Sequence, residues 1–173
     1  MRRALSAIWE WETAVGNRPQ PELAKATAQS EGSGDVVPAD LFAVELVGLD
    51  GKAGRLSAFA GKTIILNVWA TWCAPCRAEL PSLQRLSDML NPDAFVVVGL
   101  STDADPDHVR EFLRETKVTY PNYLDPKRQV ATDILGIDSY PQTFIIRPTG
   151  GVAARISGAR TWDHPDMVAI VRG

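Results

Sequence analysis

Two cysteines are all the thiols this chain has, and they stand two residues apart in Cys73-Ala74-Pro75-Cys76. A bridge between them closes so short a loop that, in the chain-entropy account, it does little for the stability of a fold. The pair therefore asks for a chemical explanation. Thiol–disulfide exchange supplies one: a thiolate attacks a disulfide sulfur, and a second thiol held nearby displaces the mixed disulfide from within the molecule. Zinc is the structural alternative, because Cys-x-x-Cys is half of many tetrahedral sites. The other half is missing, since His108 and His164 lie 32 and 88 residues beyond Cys76 and far from each other, which does not match common ligand spacing. Two thiolates and one histidine would also suit a copper ion, so a copper-binding assembly factor is an alternative from a different class. A thiol peroxidase is a further one, but the Pro-x-x-x-Thr-x-x-Cys arrangement it usually needs precedes neither cysteine.

The flanking residues decide which cysteine attacks. The apolar run Ile64-Ile65-Leu66-Asn67-Val68-Trp69 reads as a central strand buried on both faces, and Leu80, Leu83, Leu86 and Leu90 recur at helical spacing after the pair. A strand running into a helix start puts Cys73 where unpaired backbone N–H groups and the positive end of the helix dipole favour an anion. Cys73 is expected to be the nucleophile. Pro75 falls in the first turn, where it costs no helical hydrogen bond, and Cys76 lies one turn in, facing the core, as the resolving thiol. Glu79 follows Cys76 by three residues and shares its face, so its carboxyl is expected to take the Cys76 proton, with a pKa raised by burial. Pro81 is expected to kink the helix. Asn67 needs hydrogen-bond partners if buried and is read as a structural contact. Trp69 and Trp72 pack the strand and rim the site. Trp72, Ala74 and Pro75 are expected to meet the substrate, while His108 is read as a solvated helix residue and His164 as a helix-start residue.

Stepping outward along the chain, residues 1–38 are expected to form an arm and flexible linker. Met1-Arg2-Arg3 and the apolar residues to Trp9 begin like an export signal, but Glu10 and Glu12 interrupt them before the roughly 7 to 15 apolar residues a signal core needs. Residues 16–35 are rich in Pro, Gln, Ala, Ser and Gly. A domain over 39–173 should open with a strand across Phe42–Val47 and a turn at Asp50-Gly51-Lys52. Apolar runs at Thr63–Trp69, Phe95–Leu100, Thr143–Ile146 and Val152–Ile156 predict further strands. Helical patterns fall after each of the first two runs and again over Trp162–Val171. This alternation implies an α/β fold whose sheet has parallel pairs. With 45% hydrophobic and 23% charged residues and a net charge of −3, the chain has neither a basic footprint for nucleic acid nor a polybasic membrane patch.

The segment Val68-Trp69-Ala70-Thr71-Trp72-Cys73-Ala74-Pro75-Cys76-Arg77-Ala78-Glu79-Leu80-Pro81, together with Gly136-Ile137 and Tyr140-Pro141-Gln142-Thr143-Phe144, resembles the thioredoxin superfamily and its TlpA/ResA-like branch. The resemblance implies a thioredoxin-like fold: a central mixed β-sheet flanked by helices, with an added N-terminal strand or hairpin. It implies a cis-proline at Pro141 beside the cysteines, with the Tyr140 backbone pairing with substrate, and it supports a glutamate at Glu79. Thioredoxins proper have a buried acid where this chain has Asn67, which shifts proton handling toward Glu79. Arg147-Pro148 departs from the branch, which often has an aspartate there. By the same resemblance the chain is expected to act without cofactor or metal, as a monomeric thiol-disulfide oxidoreductase of the cell envelope or periplasm. Its partners would be protein thiols and disulfides, such as apocytochrome c or copper-site proteins, with an upstream membrane thiol reductase. An authentic start at Met1 would instead favour the cytoplasm.

Overall fold

In a computed structural model, the described residues are 40–173, so the expected arm and linker at 1–38 lie outside them. The run Thr63–Trp69 forms β3, an interior strand of a seven-stranded mixed sheet. Before it come a single helical turn α1 (Asp40–Ala43), β1 (Leu46–Gly48), β2 (Ala53–Gly54) and a 3-10 turn at Leu56–Phe59. After it come α2 (Ala74–Met89), β4 (Phe95–Ser101), α3 (Pro106–Glu115) and β5 (Asn122–Leu124). A π-helical turn (Val130–Ile134), β6 (Gln142–Ile146), β7 (Val152–Ser157) and α4 (Pro165–Arg172) complete the chain. The strand order is β2-β1-β5-β4-β3-β6-β7. β3 runs parallel to β4 and antiparallel to β6, and β4 runs parallel to β5. The antiparallel β1–β2 hairpin extends the sheet beyond β5, as the added N-terminal element predicted.

Strand alternation sorts the side chains of β3 into two cores. Ile65 and Trp69 pack on the face covered by α2, α3 and α4, through Leu80, Leu83, Leu86, Val109, Phe112 and Val168. Ile64, Leu66 and Val68 pack on the other face with Leu41, Leu56, Val130 and Phe144. Asn67 has the parity of Ile65 and Trp69, so its amide points toward α2. That parity brings the buried amide of the strand to the cysteine-bearing helix.

Two expectations about elements need correction. Phe42–Val47 is not one strand: α1 ends at Ala43 and β1 begins only at Leu46, because a short apolar run does not distinguish a helical turn from a strand. The last helix starts at Pro165 rather than Trp162, with His164 as its N-cap accepting from the Asp166 amide through Nδ1. β5 and the π-helical turn are additions, too short to show a period. α2 runs on through Pro81, which lies inside the helix.

Candidate active site

The site begins where β3 ends. Cys73 is the N-cap of α2, with extended backbone (φ −88°, ψ 104°), and its Sγ accepts from the Cys76 amide at 3.3 Å. Pro75 occupies the first turn, as its missing N–H allows. Cys73 and Cys76 are joined by a disulfide with Cα atoms 5.3 Å apart. Cys73 is 6% exposed and Cys76 fully buried, so an incoming group reaches Cys73 first. The Cys76 amide points at the Cys73 sulfur of the disulfide, and a thiolate at that position would be favoured by the same donor.

One turn further along α2, Glu79 is 2% exposed and enclosed by donors. Its Oε1 accepts from Asn67 Nδ2 at 2.8 Å. Its Oε2 accepts from Trp162 Nε1 at 3.0 Å and from the Arg160 amide at 3.1 Å. Desolvation raises the Glu79 carboxyl above the ordinary glutamate range, and the Trp162, Asn67 and Arg160 donors oppose but do not cancel it. The group is thus a carboxyl that can hold a proton in a range where an exposed one would not. Asn67 also donates to Thr143 Oγ1 at 2.9 Å, across the β3–β6 pairing. It does more than the structural contact expected of it, since it grips the candidate proton acceptor directly.

The segment bearing Arg160 and Trp162 is fastened to α2 as well. Ser82 Oγ donates to the Glu79 carbonyl and accepts from the Trp162 amide. Neither Ser82 nor Trp162 stood out in the sequence as part of the site. Trp162 lies more than eighty residues from the cysteines, and only the return of the chain after β7 brings its fully buried ring to Glu79. A second hidden contact lies ahead of the cysteines. Asp103, 8% exposed, accepts from the Thr71 amide at 2.8 Å, from Thr71 Oγ1 at 2.6 Å and from Ser101 Oγ at 2.7 Å. It ties the turn that delivers Cys73 to the end of β4.

Tyr140-Pro141 is a cis peptide bond at the start of β6, and the Pro141 carbonyl accepts from the Gly158 amide. The Tyr140 ring meets the Trp72 ring edge-on, with centroids 5.4 Å apart and planes at 76°. Trp72 is 65% exposed, and Ala74 and Pro75 are exposed beside it. Trp69, by contrast, is fully buried, with Nε1 donating to Asn122 Oδ1; it packs the strand and does not rim the site. Arg147 holds the β6–β7 connection by donating to the Val152 carbonyl. His108 is exposed on α3, and among the described residues no group of three or more His, Cys, Asp or Glu side chains is placed to hold a metal ion. No described helix is long and apolar enough to cross a membrane.

The chain has known relatives. The thiol-disulfide oxidoreductase ResA of Oceanobacillus iheyensis is 35% identical over 116 residues, and that of Bacillus subtilis is 32% identical over 112. The matched stretches take in 67% and 65% of this chain and only 60% and 62% of those relatives' lengths. Among solved structures, a thiol:disulfide interchange protein from Bacteroides sp. superposes with TM-score 0.68 at 26% identity, covering 82% of this chain and 91% of that one. A thioredoxin family thiol:disulfide interchange protein from Chlorobium tepidum gives 0.64 at 27%, covering 75% and 93%. The fold is thioredoxin-like, and with a family profile matched over residues 34–155, most of its length, the chain belongs to the AhpC/TSA family.

Proposed function

We propose that this protein is a thiol-disulfide oxidoreductase that reduces disulfides in protein substrates of the cell envelope. The observation that carries the reading is a reactive pair at a helix N-terminus, Cys73 outermost and Cys76 buried, with a desolvated carboxyl, Glu79, one turn behind. In the reducing direction the Cys73 thiolate attacks one sulfur of the substrate disulfide, and the other substrate sulfur leaves as a thiolate. Cys76 then gives its proton to the Glu79 carboxylate and attacks Cys73 Sγ. The second substrate sulfur leaves, and the Cys73–Cys76 bond forms. The substrate has gained two electrons and, from Glu79 and solvent, two protons.

Trp72 and Tyr140 give the substrate an apolar edge beside Cys73, and the Tyr140 backbone pairs with an extended segment of it. The clients the resemblance implies are apocytochrome c or copper-site proteins, and a membrane thiol reductase would restore the dithiol. The names of the ResA relatives support the exchange chemistry. The test is the reduction potential of the pair, by equilibration in dithiothreitol and glutathione buffers with thiol labelling. A value of about −250 mV or below accords with a reductant, whereas one near −120 mV would replace that reading with disulfide formation.

A further inference from the structure

The rim of the site carries a cation that the exchange chemistry does not use. Arg128 sits in the turn after β5 with φ 58°, a left-handed backbone that glycine adopts freely and other residues rarely. The turn itself is held by backbone bonds, from the Arg128 amide to the Asp125 carbonyl and from the Thr132 amide to the Arg128 carbonyl. Glycine would therefore satisfy the turn without steric conflict, and the arginine side chain needs another reason. Its guanidinium lies over the Tyr140 ring, 5.4 Å from the centroid. Tyr140 in turn meets Trp72, the neighbour of Cys73, at another 5.4 Å. A row of three side chains thus leads from the disulfide to a charge.

That charge is open to a ligand. Arg128 is exposed, and among the described residues its guanidinium has no hydrogen-bond acceptor and no ion-pair partner. The Asp138 carboxylate, on the segment leading to Tyr140, accepts from Ser139 Oγ and Gln142 Nε2. A second exposed arginine, Arg77, follows Cys76 directly and lies over Phe112. Two exposed arginines, Arg77 and Arg128, thus stand near the disulfide in a chain whose net charge is −3. A stacked guanidinium keeps its edge N–H fork free, and that fork matches a carboxylate.

We infer that Arg128 selects among protein substrates for segments carrying a carboxylate near the reacting cysteine. The two ring steps correspond to about three residues of extended chain. This inference rests on the proposed exchange reaction and adds a substrate class to it; Arg128 is a specificity residue and takes no part in bond making.

The test uses the reduced full chain and a set of peptides whose single cysteine carries a thionitrobenzoate mixed disulfide. The peptides differ only in having Glu, Gln or Lys three residues to either side of that cysteine. Cys73 attacks the peptide sulfur, and released thionitrobenzoate is counted by its colour. The Glu peptide should react about three- to fivefold faster than the Lys peptide at low salt, the scale of one exposed charge pair, and the advantage should shrink as salt screens it. Arg128→Gly, which suits the turn backbone, should bring the ratio to one or below, and Arg128→Glu should invert it. Equal rates for the Glu and Lys peptides on the wild-type chain, or a ratio that survives Arg128→Gly, overturn the inference and leave the exchange reaction standing. If no peptide reacts, the exchange reading itself fails and takes this inference with it.

Discussion

At the scale of single residues, the proposed chemistry divides between Cys73, Cys76 and Glu79, and each role has its own readout. Cys76→Ser leaves the attacking thiol in place but removes the group that releases the substrate. Incubation with a protein disulfide should then accumulate a mixed disulfide through Cys73, visible as a mass adduct that dithiothreitol removes; a free monomer with undiminished turnover would count against the assignment. Glu79→Gln keeps the shape and the Trp162 contact but cannot take a proton, so resolution by Cys76 should slow about 100-fold at neutral pH, while attack by Cys73 is little changed. The cysteines and Glu79 were legible because their spacing alone fixes their face on a helix. Trp162 was not. It is one more apolar residue in a chain that has five tryptophans, and nothing local says that its indole N–H will end at a carboxylate presented by α2. Arg128 was equally silent, because its left-handed backbone is a property of the turn and not of its composition.

At the scale of elements, the site hangs from β3, and β4 beside it is where that strand is most sensitive. Gly99 faces Asn122 so closely that an added Cβ would land on the Asn122 amide and within 3.0 Å of Trp69 Nε1. Gly99→Ala should therefore displace the Trp69–Asn122 hydrogen bond and cost about 1–3 kcal/mol in a urea titration, with the midpoint falling and the slope unchanged. The four strand predictions held because their runs are rich in β-branched residues and bounded by turn residues. The N-terminal region did not resolve in the same way. Leu41 and Leu46 are both buried in the same core, yet one belongs to a helical turn and the other to a three-residue strand that pairs with β2 and β5. The clamp of Asp103 on Thr71 likewise joins two connections that are distant in sequence and meet only because β3 and β4 are parallel neighbours.

For the whole molecule, the buried carboxyl is a term in stability as well as in chemistry. The folded chain holds the Glu79 proton more tightly than the unfolded chain does, since burial raises the carboxyl. Its stabilising contribution is then complete below the ordinary glutamate range and is lost as pH rises through the raised folded-state value. Urea titrations of the oxidised protein across pH should show wild type losing stability relative to Glu79→Gln over that interval; parallel curves would mean that Glu79 titrates as an exposed acid. The two-faced sheet has a different kind of consequence. Because β3 is flanked by β4 and β6, the reactive turn is anchored at the interior of the sheet, whereas the β1–β2 hairpin and β7 occupy its margins. The margins are free to serve as a handle: a fluorophore, an affinity tag or a tether grafted at the Asp50-Gly51-Lys52 turn would report on, or immobilise, the protein while the redox centre keeps its own surroundings.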